Sequence, residues 1–507
     1  MALARALAVA LVGVVGHIVE VEADLALGLP GLVIVGLPDA SLSEARDRVR
    51  AAVVNSGHSW PSRRITVGLS PASLPKHGSS FDLALAAAIL AAAGAAPAHR
   101  LQGRALVGEL GLDGRVRPVR GVLPAALAAA RAGLRGVVVP AANLREAALV
   151  PGLAAHGVSS LGALVAWMRG EAAAEDGPPE TAVAAAEPVW PDLMDVVGQD
   201  YGREALEVAA AGGHHLLLVG PPGAGKTMLA ERLPAVLPPL DLDASLEVTA
   251  VHSVAGVLPG DAPLVRHPPY QAPHHSASVA ALVGGGSGLA RPGAVSLAHR
   301  GVLFLDEAPE FSGGVLDALR QPIERGEVVL ARSGGVTRYP SVVQLVLAAN
   351  PCPCSSPLGD QACTCTATVR RRYLSRLSGP LLDRIDLQVE LNPVGRAALL
   401  SDTAAMEPSS VVRGRVAAAR GAAAERLTGT GWRTNADVPG QVLRNKWKLG
   451  PAVRQSADAG VERGELSVRG YDRVLRIAWT LADLGGRTVP DAGDVASAYY
   501  FRTRRAA

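Results

Sequence analysis

Gly220-Pro221-Pro222-Gly223-Ala224-Gly225-Lys226-Thr227 completes a G-x-x-x-x-G-K-T pattern. The apolar run LLLV precedes it and the run MLAERL follows, giving the strand–loop–helix setting that the pattern requires. Glycines let backbone N–H groups close around phosphate oxygens, and the start of the next helix adds positive potential. Lys226 would then reach the β- and γ-phosphates of ATP, and the Thr227 hydroxyl would bind Mg²⁺. VLFLDE, residues 302–307, reads as a buried strand from whose end two carboxylates emerge. Asp306 suits the Mg²⁺ shell, and Glu307 suits polarisation of an attacking water. Asn350 ends the next apolar run, VVQLVLAAN. An amide there can orient the water, although spacing alone leaves open whether it does more than end a strand. Each piece taken singly has a bland reading, a glycine turn or a strand ending in acids. Their joint order favours phosphate chemistry.

The four cysteines, Cys352, Cys354, Cys363 and Cys365, all fall in CPCSSPLGDQACTC. The pattern is C-x-C, eight residues, then C-x-C. Four thiolates can hold tetrahedral Zn²⁺, and the intervening Pro/Gly-containing segment can fold back to close the shell. C-x-C is tighter than the common C-x₂-C knuckle, so two disulfides or four metal-free thiols stay open beside zinc. A closed Cys₄ shell has no position left for a substrate, so such a site would be structural.

The chain of 507 residues is too long for one core, so several domains are expected. LVIVGL, RITVGL, ALVGEL and GVVVP read as short buried strands, with helices over SLSEARDRVRAAVVNSG and FDLALAAAILAAAG between them. Strands alternating with helices continue past the glycine loop and predict an α/β multidomain chain with a parallel sheet. EAAAEDGPPETAVAAAEPVW, residues 171–190, lacks an apolar stripe and reads as a linker. Beyond residue 394 the strand signal fades into helices such as GYDRVLRIAWTLADL. The expected divisions are therefore 1–168, a linker at 169–190, 191–394 and 395–507.

Net charge is only +3, but the segment from Arg396 onward carries 18 Lys and Arg against 11 Asp and Glu. Such a basic segment is compatible with nucleic acid, and equally with solvated helix faces. No run approaches the roughly 18 apolar residues of a membrane span, so no membrane partner is expected. The apolar start has a faint signal-peptide look but runs straight into the alternation VGHIVEVEADL without a cleavage site, so no leader is expected. Cysteines confined to one cluster fit a reducing cytoplasm.

The phosphate loop, FLDEAPEF, the Asn350 strand end, RLSGPLLDRIDLQVEL and QAPHHSASVAALVGGGSGLARPGAVSLAHRGVLFLDE resemble the magnesium-chelatase-like branch of the AAA+ ATPases. The resemblance implies an AAA+ P-loop core with a C-terminal helical lid. Arg384 in LLDRID matches the arginine finger, which reaches ATP bound by a neighbouring subunit, and Arg469 matches the sensor-2 arginine. A finger acting in trans implies a ring, namely a homo-hexamer. ERGEVVLARSGGVTRYP reads as two strands around Ser333-Gly-Gly and takes the place of a family hairpin that often lines the central pore. His274 and His275 resemble family residues but receive no metal, since two adjacent histidines rarely chelate one ion alone. On this layout, metal at the cysteines would brace the loop between Asn350 and Arg384.

Residues 69–90 and 107–140 resemble the Lon protease domain, of ribosomal S5 domain 2-like fold, which works through a Ser–Lys dyad. Ser80 falls on the nucleophile position, whereas Ala125 stands where the lysine belongs. The chain has four lysines, Lys76, Lys226, Lys446 and Lys448, and none is placed to replace it. A Lon-like domain without proteolysis is expected. The whole order is similar to the YifB/ComM family, which implies an ATP-driven motor on DNA, with branch migration or helicase activity in recombination or natural transformation. Arg332 and Arg338 on the hairpin, Arg370-Arg371-Arg372, and Arg444, Lys446, Trp447 and Lys448 are the candidate DNA contacts. The rival readings are a magnesium chelatase ATPase subunit and a protein-remodelling AAA+ ATPase.

Overall fold

The computed structural model describes residues 2–36, 40–74, 76, 78–176, 188–259, 263–286, 290–332, 335–354, 363–394 and 406–503. Its architecture is mixed α/β. The central element is a five-stranded parallel sheet in the order Tyr270–Gln271, Val302–Leu305, Gln344–Ala349, Leu216–Val219, Leu387–Glu390. The three middle strands are apolar almost throughout because helices cover both faces. Val219 lies opposite Ala349, and Leu305 opposite Leu347, so the loops that follow these strands leave from one edge of the sheet. That carboxyl edge is where open α/β sheets bind ligands.

A second sheet of eight mixed strands is built from the first part of the chain. Its centre is the long hairpin Ala2–Val12 and Val15–Ala26, so the start with a signal-like look is a strand here. The Ala-rich helix Asp82–Ala92 is buried on all sides, as its unbroken apolar character predicts. Glu175–Asp176 pairs with His156 and Gly157 at the sheet edge, within the stretch read as linker from sequence; residues 177–187 of that stretch lie outside the described residues.

Helix Val122–Arg131 seats this region on helix Leu242–Ala255 of the parallel-sheet region, with Ala250 and Leu246 packed among Val122, Leu123 and Ala126. Glu146, only 8% exposed, joins the two. Its carboxylate accepts from the Leu123 N–H at 2.8 Å, the Asn143 amide at 3.2 Å and the Ser253 hydroxyl.

Helices Ser409–Leu427, Gly440–Arg444, Pro451–Glu462, Val468–Leu484 and Ala492–Thr503 pack on one face of the parallel sheet and share its core. Residues 395–405 and 504–507 of the segment expected as lid lie outside the described residues. Arg473 fastens the helices to the sheet. It donates to the Asp383 carbonyl at 2.7 Å and to the buried Asp386 carboxylate, which also accepts from the His215 N–H at 3.0 Å. Burial alone would raise the Asp386 carboxyl, but the Arg473 guanidinium and His214 hold it well below the usual carboxylate range.

Two outcomes follow from these contacts. Glu146→Ala strands the Leu123 N–H and the Ser253 hydroxyl, and is expected to lower stability by about 1–3 kcal/mol in a denaturant melt of the full chain. Burial pushes the half-buried His215 from 6.5 down to about 4, against the pull of Asp386. Between those pH values the unfolded chain takes up a proton at this ring and the folded chain does not, so stability falls as pH falls. Asp386 adds a loss of the same sign below the ordinary carboxylate range, because its folded value lies under its unfolded one. His215→Asn, which can still accept from the Leu345 N–H, is expected to flatten the first part of that slope in melts recorded across pH.

Candidate functional site

The loop 220–225 leaves strand Leu216–Val219 and enters helix Lys226–Val236. Gly223 and Gly225 carry φ of +78° and +88°, which a side chain would resist. A Cβ at Gly220 would lie 2.6 Å from the Leu391 carbonyl oxygen. Gln199, 6% exposed, bonds the Ala224 carbonyl at 2.9 Å and the Asn392 carbonyl at 2.7 Å, tying the loop to the end of the fifth strand. The sequence reading did not single out Gln199; a lone glutamine before a helix carries no signal of its own.

Lys226 is 8% exposed. Its ammonium donates to the carbonyls of Gly220 at 2.7 Å and Pro221 at 2.9 Å, and to Asn350 Oδ1 at 3.0 Å. Burial lowers its pKa, while Asp306 and Glu307 pull the other way. Thr227 Oγ1 donates to Asp306 Oδ2 at 2.8 Å, and the Glu307 N–H donates to Asp306 Oδ1 at 2.9 Å. Glu307 itself adopts φ +48°, ψ +44°, a left-handed conformation uncommon outside glycine. Its carboxylate lies 3.6 Å from His275 Nδ1, and the His275 and His274 rings are 4.0 Å apart.

These residues fit a triphosphate with its cation. A buried ammonium whose hydrogen bonds all go to neutral oxygens is suited to an anionic ligand. The Thr227 hydroxyl and the Asp306 carboxylate stand together as the hard oxygen donors that Mg²⁺ prefers. Gly220, Pro221, Pro222, Gly223, Ala224, Gly225, Lys226, Thr227, Asp306, Glu307 and Asn350 are thus gathered at one sheet edge.

Arg384 and Arg469 are placed elsewhere. Arg384 donates to the Pro380 carbonyl at 2.6 Å and pairs with Glu324, while Arg469 reaches Asp383 at 3.5 Å. Both line a cleft of about 1180 Å³ together with Arg473 and Asp386, and Lys226, Asp306 and Glu307 do not line it. The hairpin expected from sequence is present as Glu327–Arg332 and Gly335–Pro340, while Ser333 and Gly334 lie outside the described residues. Arg338 pairs with Glu327 at 2.7 Å. Among the other candidate DNA contacts, Arg444 pairs with Asp472, and Trp447 is taken into packing, its ring 5.1 Å from that of Trp479. Cys352, Cys354, Cys363 and Cys365 are brought together, all four sulfurs within 4.8 Å of one another. In the first region Ala125 is buried, Ser79 donates to Glu109, and buried Lys76 donates to the carbonyls of Leu69 and Pro71.

Comparison with known proteins gives three family matches: "Magnesium chelatase, subunit ChlI" over residues 192–399, "Subunit ChlI of Mg-chelatase" over 21–143, and "Magnesium chelatase, subunit ChlI C-terminal" over 406–502. An uncharacterised protein of Mycobacterium tuberculosis is 58% identical over 99% of both chains. YifB of Escherichia coli is 42% identical over 94% of this chain and 92% of its own. The competence protein ComM of Haemophilus influenzae is 40% identical over 96% and 94%. A Lon protease of Rhizobium meliloti matches only in part, at 33% identity over 22% of this chain and 14% of its own. With relatives of that identity along nearly its whole length and a phosphate loop facing paired carboxylates, the chain belongs to the YifB/ComM family of magnesium-chelatase-like AAA+ ATPases.

Proposed function

We propose that the chain is an ATP-hydrolysing motor that works on DNA as a homo-hexamer, moving branched or single-stranded DNA during recombination. The observation that carries this reading is the separation within one chain: Lys226, Asp306 and Glu307 at one site, Arg384 and Arg469 at another. Two half-sites on one chain suit a ring in which each subunit lends its arginines to the next. ATP with Mg²⁺ supplies the phosphoryl group and its charge-neutralising cation. Lys226 holds the phosphate end of the site, Thr227 and Asp306 orient the cation, Asn350 fixes Lys226, and Glu307 accepts a proton from water. The first region is a Lon-like fold used for assembly or substrate contact, since Ala125 cannot act as a base and Lys76 is occupied by backbone carbonyls. The helices from Ser409 onward act as the lid.

DNA is favoured as the substrate because the ComM relative is named a competence protein and competence is the uptake of DNA. Branch migration during natural transformation is the process implied by the family. No helix among the described residues is long and apolar enough to cross a membrane, and a cytoplasmic site of action suits this reading.

An ATPase assay with single-stranded, forked and four-way DNA, casein and porphyrin in parallel tests the substrate. DNA is expected to stimulate turnover, and the stimulation should weaken steeply with salt. Casein stimulation with peptide release and none by DNA would overturn the reading, and stimulation by porphyrin alone would favour a chelatase subunit. Glu307→Gln is expected to bind ATP yet lose about 10²–10⁴-fold in turnover. Turnover at the parent rate would remove Glu307 from its role. Arg384→Ala chains mixed with Glu307→Gln chains are expected to regain part of the activity that each lacks alone; no recovery at any ratio would argue against sharing between subunits.

A further inference from the structure

The four cysteines are more than neighbours in sequence. The sulfurs of Cys352 and Cys354 lie 3.1 Å apart, Cys354 and Cys363 3.5 Å, and Cys352 and Cys363 3.4 Å, with Cys365 inside the same 4.8 Å cluster. A disulfide requires about 2.0 Å, and none of these separations approaches it. A tetrahedral shell with Zn–S of about 2.3 Å places its sulfurs about 3.8 Å apart. The three separations are a few tenths of an ångström shorter than that, so the four sulfurs converge on one small volume that a bound ion would open to the tetrahedral spacing. Four soft sulfur donors, once deprotonated by a metal, make a closed structural site, for which Zn²⁺ is the matching ion.

What the cluster joins gives it a purpose. Cys352 comes two residues after Asn350, whose side-chain oxygen accepts from Lys226 at 3.0 Å. Cys365 is followed by helix Ala367–Leu374, capped by the Thr366 hydroxyl. That helix buries Tyr373, and Arg376 beyond it donates to the Pro309 carbonyl at 3.2 Å and to Glu310 at 3.1 Å. Pro309 and Glu310 belong to the short turn that Glu307 opens in its left-handed conformation. One cluster therefore lies on the only covalent path from the Asn350 strand end to the helix that clasps the Glu307 turn.

We propose that Cys352, Cys354, Cys363 and Cys365 bind one Zn²⁺ that fixes the Asn350 strand end and the Glu307 turn relative to each other. The cysteines act here as positioning residues. Metal binding stands on the sulfur geometry, while the effect on turnover rests on the ATPase reading above.

Protein purified without chelator is expected to hold about one zinc per chain by elemental analysis, and Cys354→Ser and Cys363→Ser are expected to lose it. Should those variants not fold, the parent chain treated with a mercurial reagent in the presence of a zinc-binding dye gives the same count, with zinc and thiols released together. On metal removal, hydrogen exchange over 306–311 and 344–350 is expected to quicken. Binding of a non-hydrolysable ATP analogue should persist while turnover falls about 10- to 100-fold. Absence of stoichiometric zinc or another thiophilic metal overturns the site. Unchanged exchange and turnover after metal loss overturn the positioning role. Zinc bound and exchange altered in a chain that hydrolyses no ATP would support this inference and count against the motor alone.

Discussion

The charge of Lys226 is the constraint around which the rest is arranged. An ammonium taken out of water is costly unless its donors find oxygens. Here the three oxygens come from two separate commitments of the fold. The Gly220 and Pro221 carbonyls require a loop held against the fifth strand, which Gln199 and the close approach of Leu391 enforce. Asn350 requires the Gln344–Ala349 strand to run parallel and in register with Leu216–Val219. The carboxylates of Asp306 and Glu307 stand nearby without displacing those neutral partners. The result is a buried cation whose partners are neutral oxygens, an arrangement suited to an anionic ligand.

The phosphate loop and the acid pair were legible because their backbone demands and their chemistry coincide. Glycines with positive φ, a lysine and a hydroxyl at fixed offsets have few other uses. The three middle strands of the parallel sheet were equally legible, since their runs are apolar almost throughout, whereas LVIVGL, read as a buried strand, forms Gly31–Val35 with Val33 and Val35 exposed. The hairpin strand Ala2–Val12 was not, because alanine alternating with leucine and valine looks the same in a helix or a leader. Leu387–Glu390 hid because Gln388 interrupts its apolar run, although that glutamine is buried. Trp447 and Arg444 looked like a nucleic-acid surface in sequence. The folded helices place the Trp447 ring against Trp479 and the Arg444 guanidinium beside Asp472, contacts that the sequence does not announce.

Long-range placement was the least legible part. Nothing in LLDRID or LSVRGYDRV states that the two segments meet. Yet Arg473 grips the Asp383 carbonyl and Asp386, and Arg502 donates to the Ile385 carbonyl. Arg384 thus lies on a short stretch clasped by the helices of its own chain. Movement of those helices would carry Arg384 along, while the phosphate loop rests on the opposite commitment, the sheet edge. The contact through Glu146 and Ser253 gives the first region a comparable hold on helix Leu242–Ala255.

Glu307 carries a different implication. Its left-handed backbone is disfavoured for a residue with a Cβ by about 1–2 kcal/mol, and it opens the short turn Ala308–Glu310 there. Glycine would take the same conformation freely. Selection for thermal tolerance alone would therefore drift toward glycine at this position and gain stability by discarding the carboxylate. In the motor proposed above, the carboxylate at this position is the group that turnover would require, so a chain hardened against heat in this way would gain stability and lose activity.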